Sequence, residues 1–227
     1  MGKELIIYGI GETAKIAYEY FTHDSDYTVI AFTADKDYIK ESSLHGLPVI
    51  QFEKIENEFP SDKYEMFVAA SFIQLNRIRT SMFCKAKKLG YKLASYVSSK
   101  AFVWHNVKLG ENVFIFENNV IQHQCEIGDN VVMWSGNHIG HQSKIEDHVY
   151  VSSHCVISGF CTIGESSFLG VNCTFNDHIS IASDTLISSG ALIVKSQDKK
   201  GTLLIGSPAK IGLKTSYEAF NVKESWL

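Results

Sequence analysis

Apolar side chains recur along the second half of this chain at an unusual interval. Taking every sixth residue from Val103 gives Val103, Leu109, Ile115, Ile121, Ile127, Met133, Ile139, Ile145, Val151, Ile157, Ile163, Leu169, Phe175, Ile181, Ile187 and Ile193, all large and apolar. With 45% of the chain hydrophobic, chance produces so long an unbroken run about once in 10^5 trials. A helix repeats roughly every 3.6 residues and a strand roughly every two, so neither explains it. A short strand followed by a turn does. The position two residues before each large aliphatic also faces inward on this reading, and it is mostly small or slim: Ala101, Val107, Val113, Asn119, Cys125, Val131, Asn137, Ser143, Val149, Cys155, Cys161, Ser167, Cys173, Ile179, Thr185, Ala191. Four of the five cysteines fall here, as compact fillers of a narrow core rather than as nucleophiles or a metal cluster. Glycine follows the aliphatic at Gly110, Gly128, Gly140, Gly164 and Gly170, where a tight turn calls for it.

A repeat of this length predicts a parallel β-helix over residues 101–194, with backbone hydrogen bonds running from coil to coil. The first half has a different pattern. "LIIYG" (5–9) predicts a buried strand, "GIGETA" a Gly-x-Gly-x-x-Ala turn through Gly9, Gly11 and Ala14, and "AKIAYEYF" a helix. "YTVIAFTAD" ends a second strand at Asp35, and "LPVI" (47–50), "MFVAAS" (66–71) and "YKLASYV" (91–97) read as further strands. "IQLNRIRTSMFCKAKKLG" (73–90) predicts a helix that stops at Gly90. Alternating strands and helices indicate a small α/β domain with a parallel sheet, Rossmann-like but short for a complete dinucleotide fold. The expected organisation is residues 1–98 as this domain, 99–210 as the β-helix and 211–227 as a C-terminal tail of unassigned role.

Composition narrows the function classes. A net charge of −4 without a basic cluster argues against nucleic acid. No apolar run is long enough to span a membrane, and the first residues have neither a signal-peptide core nor, with Ile6 at the sixth position, a myristoylation signal. Five cysteines without a Cys-x-x-Cys pair suggest no disulfide framework or zinc site. The expectation is a cytoplasmic protein without a metal.

"LGENVF", "IGDNVV", "IGHQSK", "IGESSF", "LGVNCT" and the exit "IGSPAK" (205–210) resemble the hexapeptide-repeat, left-handed β-helix acyltransferases. Together with "FVAAS…LNRIR", "HIGHQSKIEDH", "FLGVN" and "IVKSQDKKG", the chain is similar over nearly its whole length to sugar acyltransferases of the PglD and NeuD types. The resemblance implies a left-handed prism of three hexads per coil, a homotrimer with active sites between subunits, and acyl-CoA as co-substrate. It implies that the N-terminal domain holds a nucleotide-linked sugar (UDP, dTDP or GDP) rather than NAD. Gly9, Gly11 and Glu12 would approach the diphosphate or sugar, and Asp35 with Lys36 the base or ribose.

Residues 18 apart stack in such a prism, so His105, His123, His141, Gly159 and Asp177 form one column at a turn. By resemblance, His141 is the catalytic base and the Gly159 N–H meets the thioester carbonyl. Val171, Ser189 and Gly190 would line the CoA arm, and Lys195, Pro208 and Lys210 its nucleotide end. Where the family commonly has Glu, Asp or His after the catalytic histidine, this chain has Gln142, which can orient an imidazole but not stabilise its charge. His138 is expected to face outward near the sugar. The implied activity is N-acylation of a nucleotide-linked deoxyamino sugar for surface glycan synthesis. O-acetylation of a sialic acid-type sugar and a non-catalytic binding protein are the alternatives. An NAD oxidoreductase fits less well, because no Tyr-x-x-x-Lys arrangement follows the glycine turn.

Overall fold

The computed structural model describes residues 2–226. They divide into two units, 2–71 with 78–96, and 72–77 with 97–226.

In the first unit, β1 (Lys3–Tyr8), α1 (Glu12–His23), β2 (Tyr27–Ala34), β3 (Ser43–Leu44), β4 (Leu47–Gln51), α2 (Ile55–Glu58), β5 (Glu65–Val68), α3 (Arg77–Lys88) and β6 (Lys92–Leu93) follow in order. The sheet has the order β3-β4-β2-β1-β5-β6. It is parallel except where β3 turns back on β4 as a hairpin. The central strand is apolar because both its faces are covered: Leu5, Ile6 and Ile7 are fully buried. Six strands are more than a domain this short was expected to hold, and two of them are only two residues long.

The repeat unit opens with β7 (Tyr96–Val97), one hexad before Val103, and continues through sixteen two-residue strands from β8 (Phe102–Val103) to β23 (Leu192–Ile193). Partners lie 18 residues apart, as Val120 with Phe102 and His138. The result is a left-handed parallel β-helix of triangular section. Its core is the large aliphatic series from Ile115 to Ile193 together with Cys125, Cys155, Cys161 and Cys173, all buried. Asn119 and Asn137 also point inward; their amide N–H groups donate to backbone carbonyls of Phe116 and Trp134, which offsets part of the cost of burying them.

From Asn112 onward the corner residues that turn the chain lie in the left-handed region, including Asn112, Gln124, Asn130, Gln142, His148, Phe160, Asn172 and Asp184. Most are residue types that tolerate that conformation. The last coil breaks the period. Ile181 bridges to Gln197 and Ile187 pairs with Leu204 in β24 (Leu203–Ile205), which then turns back as β25 (Lys210–Ile211).

The three faces differ in what points outward. One carries Lys108, Glu126, Lys144, Thr162 and Ser180, with Lys108 and Glu126 2.7 Å apart. A second carries Phe114, Val132, Tyr150, Phe168 and Leu186. It is covered by the chain itself: Phe72 packs on Tyr150 and Phe168, and Phe220 packs on Phe168. The third carries Phe102, Val120, His138, Val156, Thr174 and Leu192, and Phe102 and Val156 are exposed.

Two sequence expectations shift. The helix expected from residue 73 starts at Arg77. Gln74, Leu75 and Asn76 take left-handed φ, because Asn76 donates to the Ser166 and Ser167 carbonyls and Arg77 pairs with Asp184. The tail, to which the sequence assigned no role, forms α4 (Ser216–Ala219), opened by a Thr215–Glu218 capping box. Ser216 donates to the Asp184 carbonyl and Tyr217 to the Asp184 carboxylate. No described helix is long and apolar enough to cross a membrane.

Candidate active site

The corner between the apolar exposed face and the charged face holds the column read from the sequence. The His123 and His141 rings stack at 5.4 Å. Gly159 lies one coil on, and its missing side chain decides where the imidazole sits: a Cβ there would be 2.7 Å from His141 Cε1 and 2.9 Å from Nε2. The ring therefore lies over the Gly159 backbone. His141 Nδ1 is buried and has no hydrogen-bond partner among the described residues. A nitrogen so enclosed cannot meet an acceptor amine, so a substrate's proton would be taken at Nε2, with the ring held in place against Gly159.

Three details differ from the expectation. The Gly159 N–H, expected to await an oxyanion, donates to Asp177 Oδ1 at 2.8 Å. The cause is general to this prism. Corner N–H groups meet a side chain from an adjacent coil, as Glu111 meets Asp129 and Asp129 meets Asp147. Gln142 forms no hydrogen bond to His141 Nδ1; its own N–H donates to the His123 carbonyl and its side chain is exposed. Gln122 instead holds the backbone, its Oε1 accepting from the His141 main-chain N–H at 2.9 Å. Gln122 was missed in the sequence, although its place one coil back was available from the period. Asp177 stood in the stacked column without a role.

His138 is half-buried on the apolar face, directed away from the core, which Ile139 enters. Val171 and Ser189 stack at the opposite edge of that face, where the Gly190 N–H donates to the Val171 carbonyl. All three are exposed. Lys195, Pro208 and Lys210 lie exposed in the broken last coil and the strand that leaves it. One chain thus gathers His141 with Gly159 at one edge and Val171, Ser189 and Gly190 at another, and the apolar face separates the two groups.

In the first unit, Gly9 adopts φ +141, and a Cβ there would lie 2.3 Å from the Ala69 carbonyl oxygen. Gly11 is the N-cap of α1 and provides no side-chain cap, so the first amides of a twelve-residue helix are left to another acceptor. Glu12, in the first turn, pairs with Lys15 at 2.7 Å. Asp35 accepts from the Tyr8 hydroxyl and, at 2.6 Å, from Lys85. Burial, then the Asp35 hydrogen bond, pushes the Tyr8 phenol well above its ordinary range. Asp35 and Lys85 line a cleft of about 340 Å3 with Phe52, Glu53 and Lys54. The exposed Lys36 lies next to Asp35 in the chain, and its N–H reaches Glu53.

Residues 92–203 match the GMPPB C-terminal domain family. Among solved structures, the acetyltransferase domain of PglB from Neisseria gonorrhoeae superposes with a TM-score of 0.81 at 25% identity, covering 92% of this chain and 100% of that one. PerB from Caulobacter crescentus, solved with CoA and GDP-perosamine, has a TM-score of 0.79 at 27% identity, covering 92% and 97%. Its structural neighbours are hexapeptide-repeat left-handed β-helix acetyltransferases. The Caulobacter protein was also solved with a histidine replaced by asparagine, again with CoA and GDP-perosamine, at 26% identity and a TM-score of 0.80. WeeI from Acinetobacter baumannii shares the fold, at 18% identity and a TM-score of 0.63 over 92% of this chain and 99% of that one. The likenesses at 25% identity and above support an acyltransferase.

Proposed function

We propose that this protein moves an acetyl or other short acyl group from acyl-CoA to the amine of a nucleotide-linked deoxyamino sugar, in the cytoplasm, for surface glycan synthesis. The observation that carries the reading is the His141 imidazole lying against Gly159 at a corner of the prism. The Caulobacter neighbour's CoA and GDP-perosamine support the two substrate classes.

An ammonium group has no lone pair with which to attack. His141 takes a proton from the acceptor amine as its nitrogen bonds to the thioester carbonyl carbon. The carbonyl oxygen becomes an oxyanion, then the C–S bond breaks and the protonated His141 gives its proton to the departing sulfur, so that CoA leaves as a thiol. The Gly159 N–H stabilises that oxyanion once Asp177 turns away, since one N–H cannot serve both acceptors well. Gln122 fixes the backbone that carries the base, and Gln142 lies beside it without adding charge.

Val171, Ser189 and Gly190 line the CoA arm, and Lys195, Pro208 and Lys210 contact its nucleotide end. These residues and His141 sit at the two edges of the one apolar face that no part of the described chain covers. A homotrimer packed on that face brings the unlike edges of neighbouring subunits together, with His138 at the junction near the sugar. In the first unit, the amides following Gly9 and Gly11 receive the diphosphate, as helix N-termini do, with Glu12 beside them. Asp35, presented by Tyr8 and Lys85, reads the base or ribose beside Lys36.

The test is thiol release from acetyl-CoA with GDP-perosamine, UDP- and dTDP-linked deoxyamino sugars, and sialic acid. Turnover with an amine acceptor and a product one acetyl group heavier supports the reading. Turnover only with sialic acid makes the protein an O-acetyltransferase. No turnover with any acceptor, together with no thermal shift by acetyl-CoA, makes it a non-catalytic protein.

A further inference from the structure

The corner residues of the prism share a left-handed backbone, and nearly all are Asn, Gln, His, Ser or Asp. Phe160 is the exception, with φ +57 and 43% of its surface exposed. A bulky aromatic gains nothing from that conformation and, in this chain, little from burial, so a local reason is needed. Its contacts indicate one. The ring stacks on His178 with centroids 4.7 Å apart and planes 2° apart. It meets His141 at right angles, with centroids 4.9 Å apart and planes at 87°. Two imidazoles therefore hold the ring, and it forms a wall beside the base.

We propose that Phe160, braced by His178, is a specificity-determining wall against which the acceptor sugar lays its apolar face while its amine reaches His141. This rests on the acyl-transfer reading above. A deoxy sugar offers ring C–H groups and a methyl in place of a hydroxyl, and an aromatic face favours such a surface over water. Within one subunit the residues assigned to the CoA arm stand at another edge, and the trimer brings a neighbour's to this one, so the acceptor KM and the acetyl-CoA KM are read apart to tell which substrate the wall sets.

Phe160→Gly provides a clean test, because glycine takes φ +57 without strain. Steady-state thiol release is measured with acetyl-CoA and GDP-perosamine, or with the best amine acceptor of the panel, beside melting temperature and sedimentation. The account expects an acceptor KM about tenfold higher, with kcat and the acetyl-CoA KM near those of the wild type. It also expects a melting temperature no lower than the wild type's, and recovery in Phe160→Tyr. An unchanged acceptor KM overturns the proposal, as does a rise confined to the acetyl-CoA KM. Loss of self-association with an unchanged acceptor KM also overturns it and makes Phe160 a subunit contact. If the wild type itself turns over no acceptor, the acyl-transfer reading fails and the wall fails with it; a failure of the wall alone leaves wild-type turnover intact.

Discussion

His141 and His148 stand seven residues apart on adjacent edges of the same prism, and each belongs to a column of residues stacked 18 apart. In the column of His148, every rung is tied. The Asn112 amide donates to Asn130, and Asn130 Nδ2 lies 3.0 Å from His148 Nδ1. At its end Asp184, 2% exposed, accepts from Arg77 at 2.6 Å and Tyr217 at 2.9 Å. In the column of His141, a glycine stands where a side chain would fill the space, and the imidazole's Nδ1 has no partner. Similar corner geometry serves two ends. A histidine whose ring is committed to neighbours stabilises the fold, whereas one left uncommitted beside a glycine is available for chemistry. The stabilised column also explains why residues 72–77 and the tail belong to the repeat unit: both end on Asp184.

Removing Asp184 breaks the tied column hardest. Asp184→Ala leaves Arg77 without its buried partner, and chemical denaturation should record a loss of about 3 kcal/mol; an unchanged midpoint would mean the node holds nothing together. Next comes Gly159→Ala in the open column. Its backbone φ is ordinary, so the new methyl conflicts only with the His141 ring. Turnover should fall by about 10²-fold through displacement of the base, at an unchanged melting temperature. Normal turnover would show that the glycine is not there for the histidine.

His148→Ala should cost about 2 kcal/mol of stability by stranding the Asn130 amide, while thiol release continues at the wild-type rate. A loss of activity in the folded variant would erase the distinction between the two columns. The smallest effect belongs to Asp177→Ala. If the carboxylate competes with the oxyanion for the Gly159 N–H, kcat/KM for acetyl-CoA should rise by about threefold. A fall would mean that Asp177 steadies the turn and that the amide serves only the scaffold.

The period carried most of the fold. A hexad fixes which residues face inward, so Cys125, Cys155, Cys161 and Cys173 could be placed in the core before any coordinates, and the 18-residue stacking brought His141 over Gly159. Hydrogen-bond partners were harder, because the period gives proximity but not which donor an acceptor takes. Asp177 was in the column, yet its hold on the Gly159 amide depends on where corner N–H groups point. Residues 72–76 could not be read from local propensity: Gln74 and Leu75 carry no turn signal, and the segment's conformation is tied to carbonyls about ninety residues away in the chain, which Asn76 reaches. The capping box at Thr215 and Glu218 was present in the sequence, but a four-residue helix is too short to leave a hydrophobic period.

The central claim is that the uncommitted imidazole of His141 removes the proton from the attacking amine. The direct measurement is thiol release by His141→Asn and wild type side by side, with acetyl-CoA and the best amine acceptor, together with melting temperatures. The account predicts a fall in kcat of about 10²-fold or more at an unchanged melting temperature. Near-normal turnover by the folded variant would contradict it.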